Sequence, residues 1–294
     1  LHNPIRIAEE WAVVDQLSAG RVGISFGSGW NVDDFVFFPE RYMTRQSVMF
    51  DQIRIVQSLW RGESLTQQNS FDKPVAIKTV PRPFQKDLPI WVTSSGNPET
   101  YRRAGAHGHN ILVHLLGQDQ QELAEKIALY RRTREEHGFS AETGIVTLML
   151  HTFIGPDMET VRQKVREPFR QYLKSAVRLE RSSAAGGGVI SGGRQLAPDE
   201  ISEPSMDELL DIAFERYFRT AALMGTVASC KATVKNLEQI GVNEIACLID
   251  FGVDDDSVME SLGYVAELKQ SLINDSVRPL LDSVREFSAE IDES

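Results

Sequence analysis

The sequence predicts an α/β fold in which parallel strands alternate with helices, and three observations carry that prediction. Short apolar, β-rich runs recur along the chain, around Val22, Ile90, Ile111, Ile145 and Ile245. Between them lie longer stretches with apolar residues at helical spacing, most of them opened by a capping residue. A chain of 294 residues with 41% hydrophobic content is also long enough to bury the core of one large domain. The regular strand–helix repeat favours a closed barrel over an open sheet. Yet a barrel of this kind has about eight strands, and five are legible, so three strand–helix units are expected to lie ahead of Leu1.

Taken in order, Asn3 and Pro4 read as the N-cap and first turn of a helix whose Ile7, Trp11 and Val14 share a face and which stops near Gly20. Arg21–Trp30 (RVGISFGSGW) is the first strand, ending in a turn where Gly27, Ser28 and Gly29 either leave room for close backbone approach or simply turn the chain. A helix from about Thr44 to Trp60 follows, striped by Val48, Met49, Ile53 and Val56. Glu63–Phe84 is an excursion carrying a short strand around Val75–Lys78, fenced by prolines.

Pro89–Thr100 (PIWVTSSGNPET) is the stretch around which the chain is organised. A buried strand runs through a small, hydroxyl-rich turn, Ser94-Ser95-Gly96, into a helix with Asn97 as N-cap and Pro98 in the first position. Free backbone N–H groups and the positive end of the helix dipole suit a phosphate there, with hydroxyls as further donors. An ordinary loop that only caps its helix has the same residues.

Beyond it, His109–Leu116 is a strand, and Asp119 with Glu122 forms a capping box for a helix ending at His137-Gly138. Ile145–Ile154 is the fourth strand, and Asp157–Val177 a long helix expected to kink at Pro168. Ser182–Glu203 is rich in glycine and poor in large apolar groups, which reads as a mobile insertion over the strand ends. Ser205 with Glu208 caps a helix bearing Leu209, Ile212 and Phe214. Thr226–Ile240 is a further helix with Thr226 and Ser229 as its caps, Glu244–Asp250 the fifth strand and Asp255–Leu272 the closing helix. Residues 1–275 thus read as one partial barrel domain, with 276–294 as a charged tail or linker.

Composition narrows the function. The net charge is −11 with no basic run longer than a pair, which argues against nucleic acid or an anionic membrane as partner. Two isolated cysteines, Cys230 and Cys247, indicate neither a disulfide framework nor structural zinc and fit a reducing cytoplasm. No apolar run is long enough for a membrane span. At the C-terminal strand ends, where a barrel keeps its active site, no lysine occurs, against Schiff-base chemistry. His114, His151 and Asp250 there have the chemistry of metal ligands, or are ordinary barrel residues. Cys230, in a helix's first turn, either has a lowered pKa or is a buried bystander. Phe26, Trp30 and Tyr42 offer an aromatic wall for a planar ligand, or plain core.

Three segments in one order, HNPIRIAEEWAVVDQLSAGRVGISFGSGW, PIWVTSSGNPETYRRAGAHG and GTVASCKATVKNLEQIGVNEI, resemble the bacterial-luciferase-like flavin monooxygenases, most of all the branch found in natural-product biosynthesis. The resemblance runs from residue 1 to about 275. It implies a (β/α)8 TIM barrel in which RVGISFGSGW is the fourth strand, the first three lie upstream, and Ser182–Glu203 is the family's mobile insertion. It further implies that Ser94, Ser95, Gly96 and Thr100 hold the phosphate of FMN, with Gly27 and Ser28 close to it. Phe26, Trp30 and His114 are then expected at the ring and substrate pocket. Where the family has a basic residue after its fourth strand, this chain has Ser28, which leaves Arg102 or Arg103 to balance the phosphate. The family's histidine near the flavin ring belongs to the early strands and has no counterpart here.

The implied activity is a monooxygenase that uses reduced FMN, supplied by a separate flavin reductase, and dioxygen to oxygenate a small or carrier-tethered organic substrate. It would work as a homodimer or as a domain of a larger multienzyme, without a metal. Two alternatives stand beside it: a non-catalytic flavin-binding barrel subunit, and a metal- or phosphate-dependent barrel enzyme.

Overall fold

A computed structural model describes residues 1–185 and 203–292. Two compact units are distinguished within it. The first contains Leu1–Gly117, Glu125–Thr147 and, among the described residues, 179–185; the second contains Gln118–Ala124, Leu148–Arg178 and the chain from Glu203 onward.

The first unit opens on α1 (Pro4–Ser18). Asn3 caps it, its side chain accepting from the Ile5 N–H at 2.9 Å, and left-handed Ala19 ends it. Asp15 is buried at the end of α1 because Gln85 reaches back to it, through the backbone N–H and the side-chain amide, both at 2.8 Å. Strand β1 is only Ile24–Phe26, much shorter than the ten residues expected. Beyond that segment the chain forms two short 3-10 turns, Val32–Phe35 and Pro39–Arg41. Helix α2 (Arg45–Arg61) buries Ile53, Val56, Leu59 and Trp60 and stops at left-handed Gly62. The expected excursion is a hairpin: β2 (Leu65–Gln68) pairs antiparallel with β3 (Pro74–Ile77). The strand β2 (LTQQ) has no apolar alternation of its own and was not expected.

Strand β4 (Ile90–Ser94), helix α3 (Pro98–Ala106) and strand β5 (Asn110–His114) follow. The parallel order is β1-β4-β5, with Phe26 opposite Val92 and Ser94 opposite Val113. One face of this sheet, with Ile24, Val92, Ile111 and Val113, is buried; Trp91, Thr93, Leu112 and His114 alternate onto the other. Beside β5 the chain re-enters at Ile145, whose carbonyl accepts from the Ile111 N–H at 3.0 Å.

Helix α4 (Gln120–Glu136) has the expected capping box, with Glu122 N–H to Asp119 Oδ1 at 2.8 Å and Asp119 N–H to Glu122 Oε2 at 3.1 Å. Strand β6 (Val146–Ile154) leads into α5 (Met158–Ala185), which contains Pro168 and runs past the expected end at Val177. In the second unit, α6 (Glu203–Thr220) corrects the sequence reading twice. It starts ahead of Ser205, so that serine is inside the helix rather than its cap. Its buried residues are Leu210, Phe214 and Phe218, whereas Leu209 and Ile212 are exposed. The glycine-rich insertion expected at Ser182–Glu203 falls largely on residues 186–202, which lie outside the described residues.

A three-residue strand, β7 (Leu223–Gly225), was also missed; it pairs parallel with β6, Thr152 opposite Leu223. Helix α7 (Val227–Gln239) has Thr226 and Ser229 as a capping box, as expected. Strand β8 (Glu244–Leu248) pairs with β6. The closing helix α8 (Asp255–Asp292), capped by Asp254 on the Ser257 N–H at 3.0 Å, extends well beyond Leu272. The core of the unit is built from Phe153, Val161, Val165, Phe169, Phe214, Phe218 and Phe251. No helix among the described residues is long and apolar enough to cross a membrane.

Candidate anion-binding site at the strand ends

In the first unit the C-terminal ends of β1, β4 and β5 are neighbours by register, which places Gly27–Trp30, Ser94–Gly96 and His114 side by side. The turn after β4 is a glycine turn that runs into a capped helix N-terminus. Asn97 caps α3 through its side chain, which accepts from the Glu99 N–H at 3.0 Å, and Pro98 takes the first helical position. Gly96 has φ +104°, a conformation that an L side chain strains to adopt. Ser94 is buried and accepts the Gly96 N–H at 3.3 Å; Ser95 is exposed. Thr100 is buried one turn into the helix, and its hydroxyl makes no hydrogen bond among the described residues. The donor set therefore comprises a helix N-terminus, a glycine turn and hydroxyls on both sides of it. Those groups fit a phosphate dianion.

Gly27 is less constrained than expected. A Cβ there would meet the Thr93 Cβ at 3.9 Å, an ordinary contact. Gly29 is the demanding position: φ is +80° and a Cβ would come within 2.9 Å of the Phe35 ring. Neither Arg102 nor Arg103 turns toward the loop. Arg102 is bonded to Glu99 at 2.6 Å, and the Arg103 guanidinium lies over the Phe50 ring at 4.1 Å.

The cation that does reach this end of the sheet is Arg45, which the sequence reading passed over. Its Nε donates to the Gly29 carbonyl at 3.0 Å and its Nη1 to the Tyr42 carbonyl at 2.8 Å, while the guanidinium covers the Tyr42 ring at 4.3 Å. No carboxylate pairs with it among the described residues. A signal was present in the sequence: an arginine in the first position of a helix opposes the helix dipole and needs another reason to be there.

The three residues expected at the ring and substrate pocket are not equivalent. Phe26 is in register with buried Val92, so it belongs to the face opposite His114. Trp30 is 51% exposed, and its carbonyl accepts from the Tyr42 hydroxyl at 3.4 Å. Tyr42 itself packs edge-on against Phe35, ring centres 5.2 Å apart. His114 accepts the Leu116 N–H on Nδ1 at 3.0 Å, and burial holds its pKa below the ordinary value. Both effects favour a neutral imidazole with its hydrogen on Nε2.

Elsewhere, no group of three or more His, Cys, Asp or Glu side chains able to hold a metal occurs among the described residues. Cys230 is no activated thiol: burial pushes its pKa up to about 11 despite its place in the first turn of α7.

A family model described as luciferase-like monooxygenase matches residues 1–244. A Mycobacterium tuberculosis protein of uncharacterised function is 29% identical over 101 residues, covering 34% of this chain and 36% of that one. The oxygenase component of a flavin-dependent trigonelline monooxygenase from Acinetobacter baylyi is 23% identical over 262 residues, covering 85% and 67%. The chain thus spans about a third of the first relative's length and about two thirds of the second's. Two solved structures share the fold. One is the oxygenating constituent of 3,6-diketocamphane monooxygenase of Pseudomonas putida in complex with FMN (TM-score 0.64, 14% identity, covering 90% of this chain and 74% of that one). The other is a coenzyme F420-dependent tetrahydromethanopterin reductase from Methanopyrus kandleri (TM-score 0.66, 14% identity, 89% and 78%). The fold is therefore the α/β, TIM-barrel type of the luciferase-like proteins.

Proposed function

The chain belongs to the luciferase-like monooxygenase family, and from that premise we propose that it acts in a flavin-dependent oxygenase that binds reduced FMN by its phosphate at the turn after β4. The turn Ser94–Thr100 is the observation that carries this reading. It joins a positive-φ glycine, a capped helix N-terminus and hydroxyl groups in seven consecutive positions. Bound reduced flavin supplies the electrons that activate dioxygen. The chain's own share is binding and orientation. Backbone N–H groups and the hydroxyls of Ser94, Ser95 and Thr100 would hold the phosphate, and Gly27 and Ser28 would lie beside it. Arg45, fixed to Gly29, is the cation that offsets the neutral Ser28. His114, kept neutral, would present an Nε2–H donor to the pocket without adding charge. A flavin reductase would deliver the reduced cofactor, and the substrate would be an organic small molecule, free or tethered to a carrier.

The test is the Ser95→Ala and Thr100→Ala pair, with binding of reduced FMN compared with binding of riboflavin, which has no phosphate. Each hydroxyl removed from a charged partner should cost about 1.5–3 kcal/mol, or ten- to a hundredfold in FMN affinity, and leave riboflavin unchanged. Unchanged FMN binding would place the phosphate elsewhere. Because F420-dependent proteins stand among the structural relatives, F420 is the competitor to run beside FMN. Tighter binding of F420 would reassign the cofactor.

A further inference from the structure

The first unit carries two clusters of exposed apolar side chains that neither its core nor the flavin reading uses. The loop after β1 folds around an interior of its own: Phe35 is buried, Tyr42 packs edge-on against it, and Arg45 ties the carbonyls of Gly29 and Tyr42. With those groups turned inward, Trp30, Val36, Phe37 and Met43 are left outward, Phe37 and Met43 at 83% and 84% exposure. The second cluster lies on the β2–β3 hairpin and the strap that follows it. There Phe71, Val75, Val80 and Phe84 are exposed, Phe71 by 82% and Val80 by 73%. Single exposed apolar residues are ordinary, but four within fourteen positions, on each of two ordered segments, mark contact surfaces.

Neither cluster is on loose backbone. The Asn69 side chain accepts the N–H groups of Phe71 and Lys73 at 2.9 and 3.1 Å, which fixes the hairpin tip. Arg82 donates to the Leu59 carbonyl at 3.0 Å and anchors the strap to the end of α2. Phe84 lies over Gly20, where a Cβ would come within 2.7 Å of its ring. The clusters sit at opposite ends of α2, because the loop leads into that helix and the hairpin leads out of it. The helix has 17 residues, which separates them by about 25 Å.

Their charges are opposite. Residues 30–43 carry Asp33, Asp34 and Glu40 against one basic residue, Arg41, whose guanidinium covers the Phe38 ring at 4.3 Å. Residues 71–87 carry Lys73, Lys78, Arg82 and Lys86 against Asp72 and Asp87. Asp33, Asp34 and the three lysines are exposed, and none of them forms an ion pair among the described residues.

We propose that residues 30–43 of one molecule dock on residues 71–87 of a second copy of this chain. The apolar groups of each surface cover the other's, and the acidic rim of the loop meets the lysines of the hairpin. The contact is heterologous, so a dimer leaves one loop and one hairpin open and association continues beyond it. Four apolar side chains on each face give little area for a stable complex, so association is reversible and rises with concentration. The docking requires no cofactor and stands apart from the flavin reading.

The test is sedimentation equilibrium of the whole chain over a range of concentrations, with two charge-reversed variants. One is Asp33→Lys with Asp34→Lys; the other is Lys73→Glu with Lys78→Glu. All four positions are exposed, and circular dichroism checks that each variant keeps the fold. The average mass of the parent should rise with concentration past that of a dimer. Each variant alone should associate about tenfold more weakly, because its loop and its hairpin then carry like charge. Mixed, the two should recover association, since the loop of either matches the hairpin of the other. A parent that is monomeric throughout overturns the proposal and leaves the two surfaces to other partners. A mass that stops at the dimer, association unmoved by either variant, or a mixture no better than its components also overturns it.

Discussion

The turn after β4 and the helix pair α5–α6 are held in place by different physics. In the turn the contacts that set the conformation span two or three residues: Ser94 to Gly96, Asn97 to Glu99, Thr100 N–H to the Asn97 carbonyl. In the helix pair they span 37 to 53 residues. Arg162, Arg166 and Arg170, one turn apart on α5, meet Glu215, Asp211 and Asp207, one turn apart in the reverse direction on α6. Beneath this ladder Phe169 packs on Phe214, ring centres 6.4 Å apart. A local turn keeps its shape whatever its distant neighbours do. A helix pair of the second kind exists only if both partners arrive together, and its stability comes mainly from the apolar layer, since exposed ion pairs add little.

The largest test of that contrast is Phe169→Ala. Phe169 is fully buried and touches rings from α5, α6, β6 and the turn after β8. Its truncation should cost about 3–5 kcal/mol. Hydrogen exchange should accelerate across the amides of α5 and α6 while those of α3 keep their protection. All four tryptophans, Trp11, Trp30, Trp60 and Trp91, lie in the first unit, so their fluorescence gives an independent reading of that side. An equal loss of protection in α3 would show that the two regions do not stand separately.

Acid offers a second way to separate them, through His109. The side chain is 6% exposed, its ring stacks on His107 at 5.9 Å, and the Tyr130 hydroxyl donates to its carbonyl at 2.8 Å. Burial, with the nearby His107 and Arg134, lowers its pKa from 6.5 to about 4. A histidine whose folded pKa is depressed resists the proton that the unfolded chain accepts. Stability is therefore complete above pH 6.5 and is lost as the pH falls from 6.5 toward 4, by about 3 kcal/mol in all. Denaturant midpoints measured between pH 7 and 4 should follow that course in the parent and lose most of the slope in His109→Gln. A slope unchanged in the variant would assign the acid sensitivity to other groups.

Sequence reading succeeded where the physics is local. Asn3, Asn97, the Asp119–Glu122 box and the Thr226–Ser229 box all cap helices as their spacing indicated. It failed where a partner decides. The LTQQ segment becomes β2 only by pairing with β3, and β7 is three residues of strand recognisable only beside β6. On α6, of the three apolar residues singled out, Phe214 is buried together with Leu210 and Phe218 against the facing helix, whereas Leu209 and Ile212 are exposed. At the candidate site the hydroxyl turn was legible for the same local reason as the caps. Arg45 was not, because its contact to Gly29 crosses 16 residues and depends on where the intervening turns fold.

The smallest expected effects give the sharpest comparison, because they set one local contact against one distant contact of similar geometry. Asn97→Ala removes the side-chain acceptor from the first turn of α3 and should cost about 1 kcal/mol. Arg166 and Asp211 are joined at 3.1 Å, closer than many pairs that matter, but their side chains are 50% and 43% exposed. Water solvates both charges in the unpaired state, so the attraction is offset by desolvation and by ordering two flexible side chains. A double-mutant cycle with Arg166→Ala and Asp211→Ala should give a coupling of about 0.2–1 kcal/mol, falling as salt is raised, whereas the effect of the asparagine cap should persist in salt. A coupling well above 1 kcal/mol that persists in salt would mean that the ladder acts as a network. The helix pair would then owe its stability to charge as much as to the phenylalanines beneath it.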